Sequence, residues 1–155
     1  MSGNSVLAWL AEHAPDLTLI EHSRSTATVA EAAEVIGVDP ARIAKTLALK
    51  VNGETILLVT RGDARLDNAR CKAALGGRPR MLDAAATLAA TGHRPGGVCP
   101  FGLATPLPIV ADRTLLAFPT VFPAAGTRMS SVELEPQRLA ELVGARWVEI
   151  CTLPP

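Results

Sequence analysis

The sequence predicts an α+β fold of mixed α/β character, built as one domain, and three observations carry that expectation. Strand-like apolar runs are interleaved with short helical segments along the whole chain. The Asn52-Gly53 step between two apolar runs is the strongest short signal for a hairpin, so part of the sheet is antiparallel. No repeat, low-complexity tract or linker divides the 155 residues. At that length one core buries about 68–70% of the extended chain's surface.

The elements follow in order. Ser5 is placed to cap a first helix running to Ala14, which Pro15 stops. Trp9 and Leu10 on it read as core. Leu17 to Glu21 is a short strand and Ser23 to Ser25 a loop. Thr28 with Glu31 forms a capping box, the helix continues to Ile36, and Gly37 closes it. Asp39-Pro40 opens a brief helical turn with proline at its first position, and Ile43-Ala44 lead straight into Lys45. Lys45 to Val51 and Glu54 to Thr60 are the strands of the hairpin, the second rich in β-branched residues and leucine. Arg61-Gly62-Asp63 is a turn. Asp67 caps a helix to Leu75 that Gly76-Gly77 ends. Arg78 to Leu82 is a short strand, and Asp83 caps an alanine-rich helix to Ala90, stopped at Gly92. Pro108 to Asp112 is apolar enough for a buried strand. Arg113 to Phe118 is a turn or short helical excursion, and Thr120 to Pro123 a strand. Ser131 to Glu135 alternates as a strand should, Pro136 opens a helix to Val143 that Gly144 ends, and Arg146 to Cys151 is the last strand.

Composition excludes several classes of function. Apolar residues make up 48% of the chain and the formal net charge is zero. A protein held to nucleic acid by phosphates alone is usually strongly basic, so DNA is not an expected partner. The charge is uneven, however. Arg61, Arg65, Arg70, Lys72, Arg78 and Arg80 stand against Asp63 and Asp67 in residues 61–80. That run is either a solvated face or a contact for a few phosphates. With no tyrosine, and only Trp9, Trp147, Phe101, Phe118 and Phe122 as aromatics, a base-stacking platform is not expected. Cys71, Cys99 and Cys151 are odd in number and lack Cys-x-x-Cys spacing, so neither a disulfide frame nor a zinc site is indicated, which suits a reducing cytosol. No basic segment followed by an apolar run opens the chain, and no stretch reaches about 18 apolar residues; neither a signal peptide nor a membrane partner is expected.

The stretch that stands out chemically is Gly96-Gly97-Val98-Cys99-Pro100-Phe101-Gly102. Three glycines and a proline in seven residues mark a tight loop, of the kind a chain uses where backbone approaches a ligand. Lys45 is its expected partner, the two forming one small-ligand site; the plainer reading is a structural turn and a surface lysine. No P-loop, dinucleotide fingerprint, nucleophile elbow or His-Glu-x-x-His is present, and no cofactor is expected. His13, His22 and His93 lack metal-ligand spacing and read as surface or capping residues. Cys99 could be a nucleophile, but no sequence feature supplies its base.

These residues carry a resemblance. The ordered set Ala44-Lys45-Thr46-Leu47, the run from Gly92 to Gly102, Asp112 after an apolar strand, and Ala125-Gly126 before Ser130-Ser131-Val132-Glu133-Leu134 resembles the YbaK/ProX family. These are freestanding relatives of the editing domain inserted in bacterial prolyl-tRNA synthetases, and the likeness covers roughly residues 20–150. It implies a compact mixed sheet, partly barrel-like, with helices around it. It implies hydrolysis of the ester of a wrongly charged tRNA, and leaves open whether a synthetase is a further partner. Lys45 matches the family's essential lysine and Thr46 a neighbouring pocket position. Gly97, Val98, Cys99, Pro100, Phe101 and Gly102 match the loop lining the aminoacyl site, with Gly126 in the second small-residue stretch. Many members carry serine where this chain has Cys99, and Ser130 and Ser131 fall where others place substrate-selecting residues of different types.

The implied chemistry is physically reasonable. An aminoacyl ester is activated, and its hydrolysis needs a positioned water and donors for the developing oxyanion. Main-chain N–H groups of the loop can supply the donors. Lys45 can anchor either the carbonyl or the terminal phosphate and sugar. A small glycine-lined pocket selects small amino acids by sterics, and the basic run is the candidate tRNA contact. Two other readings stay open: a noncatalytic binding module of the same fold, and a thiol hydrolase using Cys99.

Overall fold

The computed structural model describes residues 2–155. Its helices are α1 (Ser2–His13), α2 (Val29–Ile36), α3 (Asn68–Leu75), α4 (Ala84–Thr91) and α5 (Pro136–Val143), with 3-10 turns at Pro40–Arg42 and Arg113–Ala117. Its strands are β1 (Ile20–Glu21), β2 (Ile43–Val51), β3 (Glu54–Arg61), β4 (Arg65–Leu66), β5 (Arg80–Met81), β6 (Ile109–Asp112), β7 (Phe122–Pro123), β8 (Ser130–Ser131), β9 (Arg146–Val148) and β10 (Cys151–Thr152).

The β2–β3 hairpin is the spine of this α+β fold. Asn52 and Gly53 both adopt left-handed backbone, φ 51° and 76°, as a two-residue turn matched to strand twist requires. The register that follows pairs Val51 with Glu54 and runs to Ala44 opposite Arg61. β6 and then β9 add to β3 in parallel, and β5 adds to β2 antiparallel. The six-stranded sheet has the order β5-β2-β3-β6-β9, with β7 also on β2. It ends at β5 and β9 and does not close into a barrel. The partial barrel implied by the resemblance is an open sheet with two separate two-stranded pieces, β1–β8 and β10–β4.

Alternation along the strands sends side chains to two cores. On one face Ala44, Ala48, Leu57, Val59 and Ala111 pack with Val6 and Leu10 of α1, Leu139 and Ala140 of α5, and Phe101. On the other Leu49, Val51, Ile56, Leu58 and Val110 pack with Cys71 of α3 and Ile150. A smaller cluster joins Ala32 and Ala33 of α2 to Ile43 and Phe122. Each fully buried leucine here contributes about 1.5–3 kcal/mol relative to exposure.

Helix ends follow the caps read in the sequence. Thr28 and Glu31 form the capping box, Asp67 and Asp83 accept from the third residue on, and Gly37, Gly76, Gly92 and Gly144 end their helices in left-handed backbone. Ser5 is the exception. The helix starts at Ser2, and the Ser5 hydroxyl donates to the Gly102 carbonyl at 3.2 Å, so a tertiary bond takes the group expected to cap. The strand expected over Arg146 to Cys151 is broken after Val148. Asp112 draws the amides of Ile150 (2.8 Å) and Cys151 (3.1 Å) onto Oδ1, which turns the chain toward β4. Of Ser131 to Glu135 only Ser131 lies in a strand, and Leu134 makes a single bridge to Val121.

Asp112 is 1% exposed and accepts four hydrogen bonds, the other two on Oδ2 from the amide and hydroxyl of Thr114. Replacing it strands four donors, of which the amides of Ile150 and Cys151 are buried. Asp112→Ala is expected to lower stability by about 3 kcal/mol, read from the urea midpoint at unchanged slope.

Candidate functional site

The outer edge of β2 is shared by two strands of two residues each. β7 covers Ile43 and Ala44, and β5 covers Leu49 and Lys50. Between them Lys45 to Leu47 have no neighbouring strand, and Ala48 receives only the amide of Leu82 at 3.0 Å. A cleft of about 270 Å³ fills the gap. Ala32 and Ile36 of α2, Thr87 of α4, the 95–98 loop and the serines of β8 wall it in. The lining is mostly apolar, with Lys45 and several threonines and serines, Thr46, Ser130 and Ser131 among them, as polar groups, the usual make-up of a small-ligand site.

Lys45 is half-buried, and its ammonium donates to the Ala64 carbonyl at 2.6 Å. Burial pushes its pKa below the ordinary lysine value; Cys151 and Asp63 pull it back up, and Arg65 lowers it further. One of the loop amides expected to serve this site is already taken. The Gly97 amide is bonded to the Arg94 carbonyl at 3.0 Å, so it is not free to receive an oxyanion. Lys45 shares the cleft instead with Gly96 and Val98. Thr46 lies on the floor, its hydroxyl oxygen buried without a partner.

Glycine at 97 answers to packing. A Cβ there would stand 2.8 Å from the carbonyl carbon of Gly126 and the amide nitrogen of Thr127, so two main chains cross at contact distance. On the far side of that crossing Gly97, Gly126 and Ser130 border a broader recess of about 730 Å³ with Arg94 and Arg128. The smaller cleft is the better candidate, because it holds the lysine and the unpartnered hydroxyl. The second half of the loop faces inward: Cys99, Pro100 and Phe101 are buried, and Gly102 packs against α1, where a Cβ would meet Ser5 O at 2.7 Å. These four residues, placed at the aminoacyl site by the resemblance, lie behind the cleft wall.

His93, expected as a surface or capping residue, is fully buried. Its Nε2 donates to the Phe101 carbonyl at 2.7 Å, which fixes the neutral tautomer, and its Nδ1 has no partner. The Cys99 thiol lies 3.6 Å from that Nε2. Burial pushes the thiol up to about 12, with main-chain hydrogen bonds from Phe101 and Gly126 opposing weakly. A thiol with no exposed surface, beside an imidazole nitrogen already committed to a carbonyl, has neither access nor base. The residue sequence reasoning missed is His22. Its Nε2 meets Ser131 Oγ at 2.7 Å, while Ser130 meets Thr127 at 2.6 Å. The β1–β8 pairing creates this contact across 109 positions, beyond any local signal.

Of the basic run, Arg61 turns inward, bridging Asp63 at 2.7 Å and stacking on Phe118 at 5.2 Å. Arg65, Arg70, Lys72, Arg78 and Arg80 are exposed. Among the described residues no group of three His, Cys, Asp or Glu is placed to hold a metal ion.

Two outcomes follow. Native protein at pH 8 should leave Cys71, Cys99 and Cys151 unalkylated by iodoacetamide, with all three labelled once denatured, since each is buried and each thiol's pKa is raised by burial. Burial holds His22 and His93 below the ordinary 6.5, so as pH falls through that value the unfolded chain takes protons the folded one refuses. Tm should therefore be flat above pH 7 and fall toward pH 5, with a shallower fall in His93→Gln.

Residues 23–142 match the family described as the aminoacyl-tRNA editing domain. The chain is 42% identical over 153 residues to the YwhH protein of Bacillus subtilis strain 168, covering 97% of this chain and 98% of that one. It is 29% identical over 123 residues to an Enterococcus faecalis protein named as a candidate Cys-tRNA(Pro)/Cys-tRNA(Cys) deacylase, covering 77% and 74%. A crystal structure described as a candidate trans-editing enzyme for prolyl tRNA synthetase superposes with a TM-score of 0.89 at 31% identity, over 97% of each chain. A family match over most of the chain, on the same fold and around the cleft that holds Lys45, places this protein in the aminoacyl-tRNA editing domain family.

Proposed function

We propose that the protein is a trans-editing deacylase that frees a small amino acid from a mischarged tRNA, tRNA(Pro) or one like it. The observation that carries this reading is Lys45, a half-buried residue lining a cleft of about 270 Å³ that includes no cysteine or histidine, its ammonium held beside the cleft at Ala64 O. Such a site suits an ester that water attacks directly, because the acyl group is already activated and needs no covalent relay. Released from Ala64, the ammonium lies within the same cleft as the ester and supplies positive charge where the carbonyl oxygen gains negative charge. One such group is typically worth about 10²–10³ in rate. The candidate amino acids are the small ones, alanine, serine, threonine or cysteine. A missing methylene is discriminated by only about 1–3 kcal/mol, so selection among these falls to polar groups. Ser131, held by His22, and Ser130, held by Thr127, are the groups in place for that.

The basic run supports a route for the tRNA. Arg78 and Arg80 are exposed, and the chain continues through Met81 and Leu82 into the cleft wall. Acceptor-strand phosphates along this face would bring the charged 3′ end to Lys45. The proposal sets the protein in the cytosol and leaves a synthetase as an optional partner. A second reading, a noncatalytic module that holds a charged tRNA end, has one observation in its favour: the ammonium is held by Ala64 O and the Gly97 amide by Arg94 O.

The test is release of amino acid from a panel of mischarged tRNAs. The wild type should turn over at least one small aminoacyl-tRNA, and Lys45→Ala should lose about 100-fold or more in kcat/KM with its Tm preserved. Binding without turnover across the panel selects the noncatalytic reading; wild-type rates in Lys45→Ala remove Lys45 from the site. The double variant Arg78→Glu/Arg80→Glu should raise KM and flatten its dependence on salt.

A further inference from the structure

The gap in the sheet edge has a chemical consequence at Thr46. In a strand, successive residues turn their N–H and C=O alternately to opposite edges. Val51 and Glu54 close the two-residue hairpin, so the odd-numbered residues of β2 exchange hydrogen bonds with β3 and the even-numbered ones face outward. The Ala48 carbonyl confirms the phase, since it accepts from Leu82 on the outer side. Ala44 and Lys50 lie opposite β7 and β5, so each outward-facing residue has a strand or an amide across from it except Thr46. Its N–H and C=O point into the cleft, and its side-chain oxygen is buried there without a hydrogen bond. Buried main-chain groups in proteins are paired almost without exception, so an edge left open on a cleft floor is a place where a ligand completes the ladder.

We propose that Thr46 reads the main-chain end of the substrate, as if the aminoacyl group were one residue of an added strand. A residue opposite Thr46 in an antiparallel pair gives its N–H to the Thr46 carbonyl and takes the Thr46 N–H on its own carbonyl. An aminoacyl ester carries both groups at that spacing. Its α-ammonium donates to Thr46 O, and its acyl oxygen accepts from Thr46 N–H. The second bond also polarises the carbonyl that water attacks, doing the work expected of Gly97 and unavailable from it. The arrangement recognises an α-amino acyl group and says nothing about its side chain, which leaves that to the serines of β8. The inference rests on the deacylase reading for its ligand but on the strand geometry for its residue.

Three measurements test it. In the free protein the Thr46 amide should exchange with deuterium at least about tenfold faster than those of Leu47 and Leu49, its inward-bonded neighbours. Equal protection overturns the inference, whatever the protein's activity. Replacing Thr46 by its α-hydroxy acid, which removes the N–H and leaves the side chain, should keep Tm and lower kcat/KM by about tenfold or more, with Thr46→Val as the side-chain comparison. Unchanged kinetics in the ester variant, with the wild type active, also overturns it. Finally, 3′-(L-alanylamido)-3′-deoxyadenosine should bind at least about tenfold tighter than its L-lactylamido counterpart and shift the Thr46 amide resonance. Equal affinity of the two overturns the ammonium contact. A wild type that releases nothing from any charged tRNA sinks the deacylase reading instead, and leaves the exchange result standing.

Discussion

The constraint on which this molecule depends is the incomplete outer edge of β2. Two strands of two residues each lie along it and neither reaches its middle. β7 stops at Pro123 on one side, and Leu82 makes the last bond on the other. A continuous neighbour would bury Lys45 to Leu47 within the sheet and leave no cleft. The site is thus a missing stretch of ladder, walled by α2, α4 and the 95–98 loop. Its floor is stiff because the other edge of β2 is paired with β3 along its length.

Two close contacts hold the walls at their distance from that floor. Gly97 crosses Gly126 and Thr127 at a separation that admits no Cβ, which ties the glycine loop to the segment leading into Ser130 and Ser131. Asp112 ties Ile150 and Cys151 to the end of β6, and beside them Thr60 donates to Cys151. Lys45 stands opposite Thr60 in the hairpin, so the lysine and the C-terminal clasp belong to one packed unit. The two serines sit on the piece of sheet formed by β1 and β8, held to the rest through Thr26 and Ala125.

The electrostatics agree with direct attack by water on an activated ester. The candidate nucleophile Cys99 and the imidazole beside it are sealed in the core, the thiol pushed up to about 12 by burial. What remains among the residues lining the cleft is one half-buried lysine, a few hydroxyls and main-chain dipoles. Such a set suits the proposed reaction, in which a small ester is bound and polarised without a covalent relay. The larger recess beyond the glycine crossing, with Arg94 and Arg128 among its lining, lacks both Lys45 and Thr46.

Much of the fold was legible locally. The capping box at Thr28, the caps at Asp67 and Asp83, the helix-ending glycines and the Asn52-Gly53 turn each act within a few residues of themselves, so sequence alone determined the helices and the central hairpin. The family motifs likewise marked Lys45, Thr46 and the serines. Local signals could not say that β6 and β9 join in parallel, that Asp112 would break the final strand, or that His22 would meet Ser131 from 109 positions away. Nor could they say which way the glycine loop faces: the same residues serve a ligand or a packed crossing, and the partner main chain at Gly126 decided for the crossing at Gly97. Sequence determined which groups the site contains, because residue type and local turn chemistry are encoded side by side. Tertiary structure alone decided which of them have free hydrogen-bonding capacity, because that depends on partners brought from distant parts of the chain.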